Sequence, residues 1–290
     1  MDSIKIFAKG WNFSQDGPGN RLLYHFQGCN LLCPWCSNPE GISVAGTILV
    51  KSANLTDTAC PHGAIRNNSL DRTVCDTCTG MDCVSKNRNT GISFSAIEYS
   101  IKDISVEIEG ARKLFHSGGG VTITGGEPTL QFKPLKELLT ELRKMNIHSV
   151  IETNGTNEKL PELFGLLDIL IIDLKHPDTL IHKKILGTGN ENVIRNIKAA
   201  SEYGVEMWIR IPLIPEFNDD EKTITGFVDF IKTINNEKVT VELLPYHEYG
   251  KVKWEQTGKT YTMPNKKISR TDIIRFENFF MEENIRVTNT

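Results

Sequence analysis

Apolar runs of strand length alternate with stretches of helical periodicity from about residue 95 onward. Apolar residues at helical spacing predict helices over 131–145 and about 271–284. Alternating strands and helices are typical of a parallel sheet, so the pattern predicts the α/β class. Six segments are predicted as its strands: 21–26, 120–124, 148–152, 168–173, 205–211 and 239–244.

The segment 37–95 interrupts this alternation. It is rich in Ser, Thr, Asn, Asp and Gly, and it contains four cysteines. Because so polar a segment buries little apolar area, we expect bonds between thiolates and a metal to stabilise it. The sequence therefore predicts one domain formed by 1–36 and 96–290, with a cysteine-rich insertion at 37–95.

Composition narrows the classes of function. The chain has 290 residues, 39% of them hydrophobic, which suits one large domain with a small insertion. Its net charge of -3 gives no general attraction to nucleic acid or anionic lipid. We find no signal-like start and no run of about 18 apolar residues, so we expect a cytoplasmic protein without membrane contact. Seven cysteines, an odd and closely grouped set, indicate metal-bound thiolates rather than disulfides.

A first cysteine motif, C-x3-C-x2-C, follows the strand predicted at 21–26. It consists of Cys29, Cys33 and Cys36. A loop at the carboxyl end of a strand can bring three thiolates together, and three ligands leave one iron of a [4Fe–4S] cluster open. A structural zinc site needs four ligands, and this loop holds no fourth cysteine or histidine. The motif therefore predicts a site-differentiated cluster whose open iron binds a cofactor or substrate.

The motif resembles the signature of the radical S-adenosylmethionine (SAM) superfamily, in which an aromatic residue, here Trp35, precedes the last cysteine. The resemblance implies that Trp35 lies at the cofactor, that the open iron holds SAM, and that the cluster cleaves SAM to a 5′-deoxyadenosyl radical. It also implies that Gly125, Gly126 and Glu127 bind the methionine amino group. Taken without the other motifs, these three residues fit an ordinary tight turn.

Polar residues also follow the other predicted strands, where a barrel places its active-site groups. Hard oxygen ligands at Glu152, Thr153 and Asp173 predict a monovalent cation beside the cofactor carboxylate. Asp173, Lys175 and His247 are predicted to bind the cofactor, Lys175 and His247 as hydrogen-bond donors. Each of these residues, taken singly, also fits a strand cap or a surface ion pair.

Upstream of the first motif lies the run DGPG at 16–19, followed by Arg21. Together with WCSNPE, GGEP, DLKH and LPYH, it resembles the glycyl-radical-enzyme activating enzymes, the family of the pyruvate formate-lyase activase, over about residues 10–250. The resemblance implies a partial (β/α)6 TIM-like barrel with a ferredoxin-like insertion. It further implies that the radical takes an α-hydrogen from a glycine of a partner enzyme, that Asp16 contacts this glycine segment, and that a flavodoxin or ferredoxin donates the electron. Glu152 stands where that activase is expected to have an aspartate.

The four cysteines of the insertion form a second motif. Cys60 begins a C-P-x-x-A-I run that resembles the end of a bacterial ferredoxin motif, and Cys75, Cys78 and Cys83 follow at x2 and x4 spacing. Members of the family with such an insertion often carry eight cysteines there, so half that number predicts one auxiliary [4Fe–4S] cluster. The same four thiolates also fit a zinc site.

Two other functions stay open from the sequence. One is a radical SAM enzyme that acts on a small molecule, and the other is a metal-binding module without catalysis. The DGPG run and the length of the resemblance favour the activating enzyme, which we expect to act as a monomer.

Overall fold

The fold is built on one large sheet in a computed structural model that describes residues 3–12, 15–51, 54–55, 60–75, 78, 80–81, 83–84, 91–235, 237–263, 265 and 267–288. Within these ranges the strands, in chain order, are β1 Ser3–Asn12, β2 Arg21–Phe26, β3 Ile48–Val50, β4 Ile65–Arg66, β5 Ser69–Leu70, β6 Ile92–Phe94, β7 Ile97–Ser100, β8 Gly120–Gly125, β9 Ser149–Thr153, β10 Ile169–Asp173, β11 Glu206–Leu213, β12 Val239–Pro245 and β13 Val287–Thr288. The helices are α1 Arg72–Cys75, α2 Ile101–Ala111, α3 Phe132–Lys144, α4 Thr179–Leu186, α5 Glu191–Tyr203, α6 Glu221–Ile231, α7 Lys251–Gln256 and α8 Arg270–Glu282. Short 3-10 helices cover Pro39–Gly41, Arg112–Leu114, Pro128–Gln131 and Leu160–Leu166.

The main sheet has the order β13-β12-β11-β10-β9-β8-β2-β1-β7 among the described strands. Six neighbouring strands of this sheet are parallel and lie in the order in which they occur along the chain: β2, β8, β9, β10, β11 and β12. Helices α3, α5 and α6 lie in the connections between them. Because parallel strands end at the same edge of a sheet, the loops that follow these strands meet there. The predicted α/β class and its partial-barrel arrangement are confirmed.

The bounds of the predicted strands are close to those observed. Strand β2 spans 21–26 as predicted, and each of the other five starts and ends within two residues of its prediction. Strands β1, β7 and β13 were not predicted. Strand β1 pairs antiparallel with β2 and β7, but only its first half alternates, with Ile4 and Ile6 buried and residues 8–11 exposed.

Apolar helix faces cover the sheet. On α3, Leu135, Leu138, Leu139 and Leu142 are all fully buried at helical spacing, as the periodicity predicts. Helix α8 buries its own stripe of aromatic side chains in the same core. These residues therefore hold helices on the sheet and contribute no chemistry.

Two small antiparallel sheets lie in the cysteine-rich segment, where β3 pairs with β6 and β4 with β5. Leu55, Ile65, Cys83 and Ile92 form an apolar cluster there, apart from the main core. Parts of the predicted insertion, at 52–53, 56–59, 76–77, 79, 82 and 85–90, lie outside the described residues. The boundaries of the insertion at 37 and 95 stay a prediction.

Across the described ranges, no helix has the length and apolar content that a membrane span requires.

The substitution Leu138→Ala is expected to lower the free energy of unfolding by about 2–5 kcal/mol, because a fully buried side chain leaves a cavity behind. Leu180→Ala removes the same atoms from an exposed position of α4 and is expected to change this free energy by about 0.5 kcal/mol or less. Urea denaturation followed by circular dichroism measures both. Equal losses in the two variants would contradict the placement of α3 against the sheet.

Candidate active site

The loop after β2 brings Cys29, Cys33 and Cys36 to one cavity of about 260 Å³ at the carboxyl ends of the parallel strands. Burial raises the pKa of the Cys29 and Cys33 thiols to about 12 and that of the Cys36 thiol to about 11. Such thiols keep their protons near neutral pH unless a metal displaces them. Three soft sulfur donors on one cavity fit a [4Fe–4S] cluster in kind and number.

Distant elements hold this cysteine loop in place. The Leu32 amide donates to the Leu186 carbonyl of α4 at 3.1 Å. From α7, the indole Nε1 of Trp254 donates to the Cys36 carbonyl at 2.9 Å. The indole of Trp35 is buried and lines the cavity, where it was predicted. The loop is therefore fixed from both sides.

Gly125 and Gly126 line the same cavity. Gly125 has a φ of +122°, and a Cβ atom on Gly126 would lie 2.1 Å from the carbonyl oxygen of Gly28. Both positions therefore require glycine, because the end of β8 touches the backbone that leads into the cysteine loop. That this turn binds a ligand stays a prediction.

The Glu127 side chain does not join the cavity lining. It is fully buried, and its Oε1 atom accepts hydrogen bonds from Thr129 and from the Thr153 hydroxyl, the latter at 2.8 Å. Its Oε2 atom accepts from the Asn154 amide at 2.7 Å. Burial raises the pKa of Glu127, whereas these hydrogen-bond donors act to lower it. The carboxylate thus ties β8 to the end of β9, and its predicted contact with a cofactor stays a prediction.

Residues at the ends of β10 and β12 complete the wall. Asp173, Lys175 and His247 all line the cavity. The Lys175 ammonium lies 2.7 Å from Oδ2 of Asp173. Burial lowers the pKa of His247, so its ring is neutral near pH 7, and it stacks on Tyr249 with ring centroids 4.2 Å apart. The ends of β10 and β12 therefore bring a cation, Lys175, and a neutral imidazole to the cavity wall.

Arg210 on β11 joins three strands at the cavity wall. Its Nη1 atom lies 2.9 Å from Oε1 of Glu152, and its Nε atom lies 2.5 Å from Oε2 of Glu242. Its Nη2 atom donates to the Gln15 carbonyl at 2.8 Å, just before the DGPG run. Burial acts to lower the pKa of Arg210, but the two carboxylates raise it further, so the guanidinium stays charged.

Asp16 lies beside Glu152 and outside the cavity lining. Its carboxyl group is hydrogen-bonded to that of Glu152 and to the side-chain amide of Asn12. Burial, together with the Glu152 carboxylate, raises the pKa of Asp16 to about 8, whereas Arg210 keeps the pKa of Glu152 low despite its burial. Asp16 is therefore the member of the pair that carries the proton.

The three oxygen ligands predicted for a cation, Glu152, Thr153 and Asp173, meet at the cavity. Asp173 is paired with Lys175, and Glu152 with Arg210. Glu152 also accepts a hydrogen bond from the Thr124 hydroxyl at 2.6 Å. The Thr153 hydroxyl donates to Glu127. Each of the three residues already has a hydrogen-bond or ion-pair partner, and the cation stays a prediction.

The four cysteines of the second motif also meet. Cys60, Cys75, Cys78 and Cys83 line one small cavity of about 20 Å³ with apolar walls. The Ala64 amide donates to the Cys60 sulfur at 3.4 Å. Within the described part of the chain, no three His, Cys, Asp or Glu side chains are arranged around a single metal ion. The identity of the second metal stays open between iron–sulfur and zinc.

Sequence reasoning gave no role to Arg210 or to Trp254. A charged residue inside the apolar strand β11 is a signal for Arg210, because a buried cation needs acidic partners. No local pattern indicates that Trp254, on a short helix far along the chain, holds the cysteine loop.

Comparison with known proteins agrees with this site. Residues 23–228 match the family model of the radical SAM superfamily. The 4-hydroxyphenylacetate decarboxylase activating enzyme of Clostridioides difficile is 31% identical over 288 residues, which cover 93% of this chain and 90% of that enzyme. The isethionate sulfite-lyase activating enzyme of Desulfovibrio desulfuricans is 32% identical over 273 residues, which cover 88% of this chain and 86% of that enzyme.

Two solved structures are similar to this chain. A domain of a pyruvate-formate lyase-activating enzyme from Bacteroides vulgatus superposes with a TM-score of 0.50 at 28% identity, over 59% of this chain and 99% of that domain. Streptococcus suis SuiB bound to its precursor peptide SuiA has a TM-score of 0.55 at 17% identity, over 92% of this chain and 48% of SuiB, and shares the fold. The chain belongs to the radical SAM superfamily and, within it, to the family of glycyl-radical-enzyme activating enzymes.

Proposed function

We propose that this chain activates a partner glycyl radical enzyme by generating a radical on one of the partner's glycines. The observation that carries the proposal is the meeting of Cys29, Cys33 and Cys36 with the strand-end side chains in one cavity. Relatives that align over most of the chain are named activating enzymes of decarboxylases, a sulfite-lyase and a dehydratase, which supports this class of reaction.

Cys29, Cys33 and Cys36 would hold a [4Fe–4S] cluster with one open iron, because the loop offers three sulfur ligands. With SAM bound at that iron, the cluster would supply one electron that breaks the bond between the sulfonium sulfur and C5′, giving methionine and a 5′-deoxyadenosyl radical. That radical would take the α-hydrogen of the partner's glycine, giving 5′-deoxyadenosine and a glycyl radical.

The chain's own residues bind and orient the cofactor. The backbone of Gly125 and Gly126 lies at the cavity wall, where a ligand can approach without meeting a side chain. Lys175 offers a positive charge to a carboxylate, and the neutral ring of His247 offers a hydrogen bond. The buried indole of Trp35 closes one side of the cavity against water.

The partner's glycine segment is proposed to lie against Asp16, next to the cavity edge formed by Glu152. Because Glu152 already accepts the single Asp16 proton, the remaining lone pairs of the Asp16 carboxyl group suit a backbone amide of an extended peptide. This places the substrate on the protein surface that adjoins the cysteine cavity.

The insertion, residues 37–95, is proposed to hold one auxiliary [4Fe–4S] cluster on Cys60, Cys75, Cys78 and Cys83, with zinc as the alternative. The rest of the chain, 1–36 and 96–290, forms the radical SAM domain. We further propose a flavodoxin or ferredoxin as the electron donor, a monomeric enzyme, and a monovalent cation at the oxygen ligands named above.

The substitution Cys33→Ala is expected to abolish formation of 5′-deoxyadenosine, because the cluster loses one of only three ligands. The control replaces Cys78 and Cys83 together by alanine, which removes two ligands of the second site and leaves the first intact. Anaerobic preparations of the unsubstituted enzyme should contain about eight iron and eight sulfide per chain, and each variant about four. Cleavage of SAM by the Cys33 variant would refute the ligand assignment, and about four iron with one zinc in the unsubstituted enzyme would refute the second cluster.

The reaction itself is tested with the partner. The candidate partner is a large protein with a C-terminal glycine-radical motif that is encoded beside this chain's gene. Mixed anaerobically with the reduced enzyme and SAM, it is expected to show the doublet of a glycyl radical by electron paramagnetic resonance. A silent spectrum while SAM is still cleaved would favour a small-molecule substrate.

A further inference from the structure

Arg21 is a buried cation that the proposed chemistry does not use. Its side chain is 1% exposed at the start of β2, outside the lining of the cysteine cavity. The guanidinium donates from Nη2 to the Val121 carbonyl at 2.7 Å and from Nη1 to the Pro18 carbonyl at 3.0 Å. Its Nε atom donates to the Thr122 hydroxyl at 2.6 Å.

The partners of Arg21 are neutral. Along with these acceptors, the guanidinium contacts the Gly118 carbonyl and the backbone and ring of His148. Among the described residues, the acceptors bonded to the guanidinium are neutral, and the carboxylates of Asp168, Asp16 and Glu152 act on its charge only from a greater distance. Burial lowers the pKa of Arg21 to about 10. A buried cation without a direct counter-ion is costly, and here hydrogen bonds to the turn and to the neighbouring strand offset that cost.

These contacts converge on the DGPG turn. The Thr122 hydroxyl accepts from Arg21 and itself donates to the Asp16 carbonyl at 2.6 Å. Thr122 and Arg21 thus hold two carbonyls of the turn by hydrogen bonds, those of Asp16 and Pro18. Gly17 lies directly on the arginine, since a Cβ atom there would be 3.1 Å from the Cδ and Nε atoms of Arg21.

The turn is also fixed at its two ends. Arg210 holds the Gln15 carbonyl from the cavity wall at 2.8 Å. At the other end, Gly19 has a φ of +67°, and a Cβ atom there would lie 2.3 Å from the His116 carbonyl. The Asn20 amide donates to that same carbonyl at 3.2 Å. The glycines of the turn are therefore needed for close contacts, and hydrogen bonds hold the turn at both ends.

We propose that Arg21 and Thr122 are positioning residues that hold the turn at 16–19 as a rigid platform for the partner's glycine segment. This inference rests on the proposed function, which supplies the occupant of the platform. A turn that is already fixed loses little conformational freedom when a peptide binds, and it keeps Asp16 at a constant place relative to the cavity. Arg21 and Thr122 thus act through the turn and do not touch the reacting atoms.

The test compares Arg21→Lys and Thr122→Val with the unsubstituted enzyme. The first keeps the charge and loses the planar fork, and the second removes the hydroxyl that links Arg21 to Asp16. The KM for the partner is expected to rise about tenfold, the cost of one or two lost hydrogen bonds. Release of 5′-deoxyadenosine without the partner should stay unchanged. With the partner, more 5′-deoxyadenosine should form per glycyl radical, since the peptide is misplaced.

Two further variants serve as controls. Thr122→Ser keeps the hydroxyl and is expected to restore the KM of the unsubstituted enzyme. Arg112→Lys makes the same chemical change where Arg112 binds Glu109, away from the turn, and should leave the KM unchanged.

Two results would overturn the proposal. An unchanged KM in both test variants would exclude a positioning role. Parallel losses of thermal stability, partner-free cleavage and activation would show a purely structural role. A failure of the proposed function gives a different result from a failure of the positioning role, because the unsubstituted enzyme itself would then form no glycyl radical on the partner. The turn at 16–19 would in that case not bind the glycine segment proposed for it.

Discussion

The close approach of two backbone segments is the contact on which the site depends. The end of β8 meets the end of β2 where the Glu127 amide donates to the Gly28 carbonyl at 2.6 Å. Gly126 has no room for a side chain at this contact. Since Cys29 follows Gly28 directly, the contact sets where the cysteine loop begins. This backbone contact and the hydrogen bonds from α4 and α7 hold the loop in place. The three cysteine sulfurs of the loop therefore line one cavity.

Charge balance is the second constraint. Three carboxylates on the strands that form the cavity wall are matched by cations, Glu152 and Glu242 by Arg210 and Asp173 by Lys175. Such pairs are expensive to break one partner at a time. The same network reaches the surface, because Arg210 also holds the backbone that enters the DGPG turn. The wall of the cofactor cavity and the proposed platform for the partner are therefore one connected structure.

The sequence predicted those features that short-range patterns specify. The apolar run of β2 and the cysteine spacing that follows it lie within a few residues of one another, so the sequence predicts a cysteine loop directly after this strand. The orientation of Glu127 did not follow, because its acceptors are used by donors on β9 that only the folded sheet brings near. Strand β1 was missed because half of it is exposed at the sheet edge, where apolar alternation is weak. The hold of Trp254 on the cysteine loop joins residues 218 positions apart, a distance that no local pattern covers.

The central claim is that the radical made at this cavity takes hydrogen from a glycine of a protein. The most direct measurement uses a partner enzyme labelled with glycine that carries deuterium at the α-carbon. After anaerobic reaction with the reduced enzyme and unlabelled SAM, mass spectrometry of the product should find 5′-deoxyadenosine that has gained one deuterium. If 5′-deoxyadenosine forms in step with the partner's radical but contains no deuterium, the hydrogen comes from another site, and the account is wrong.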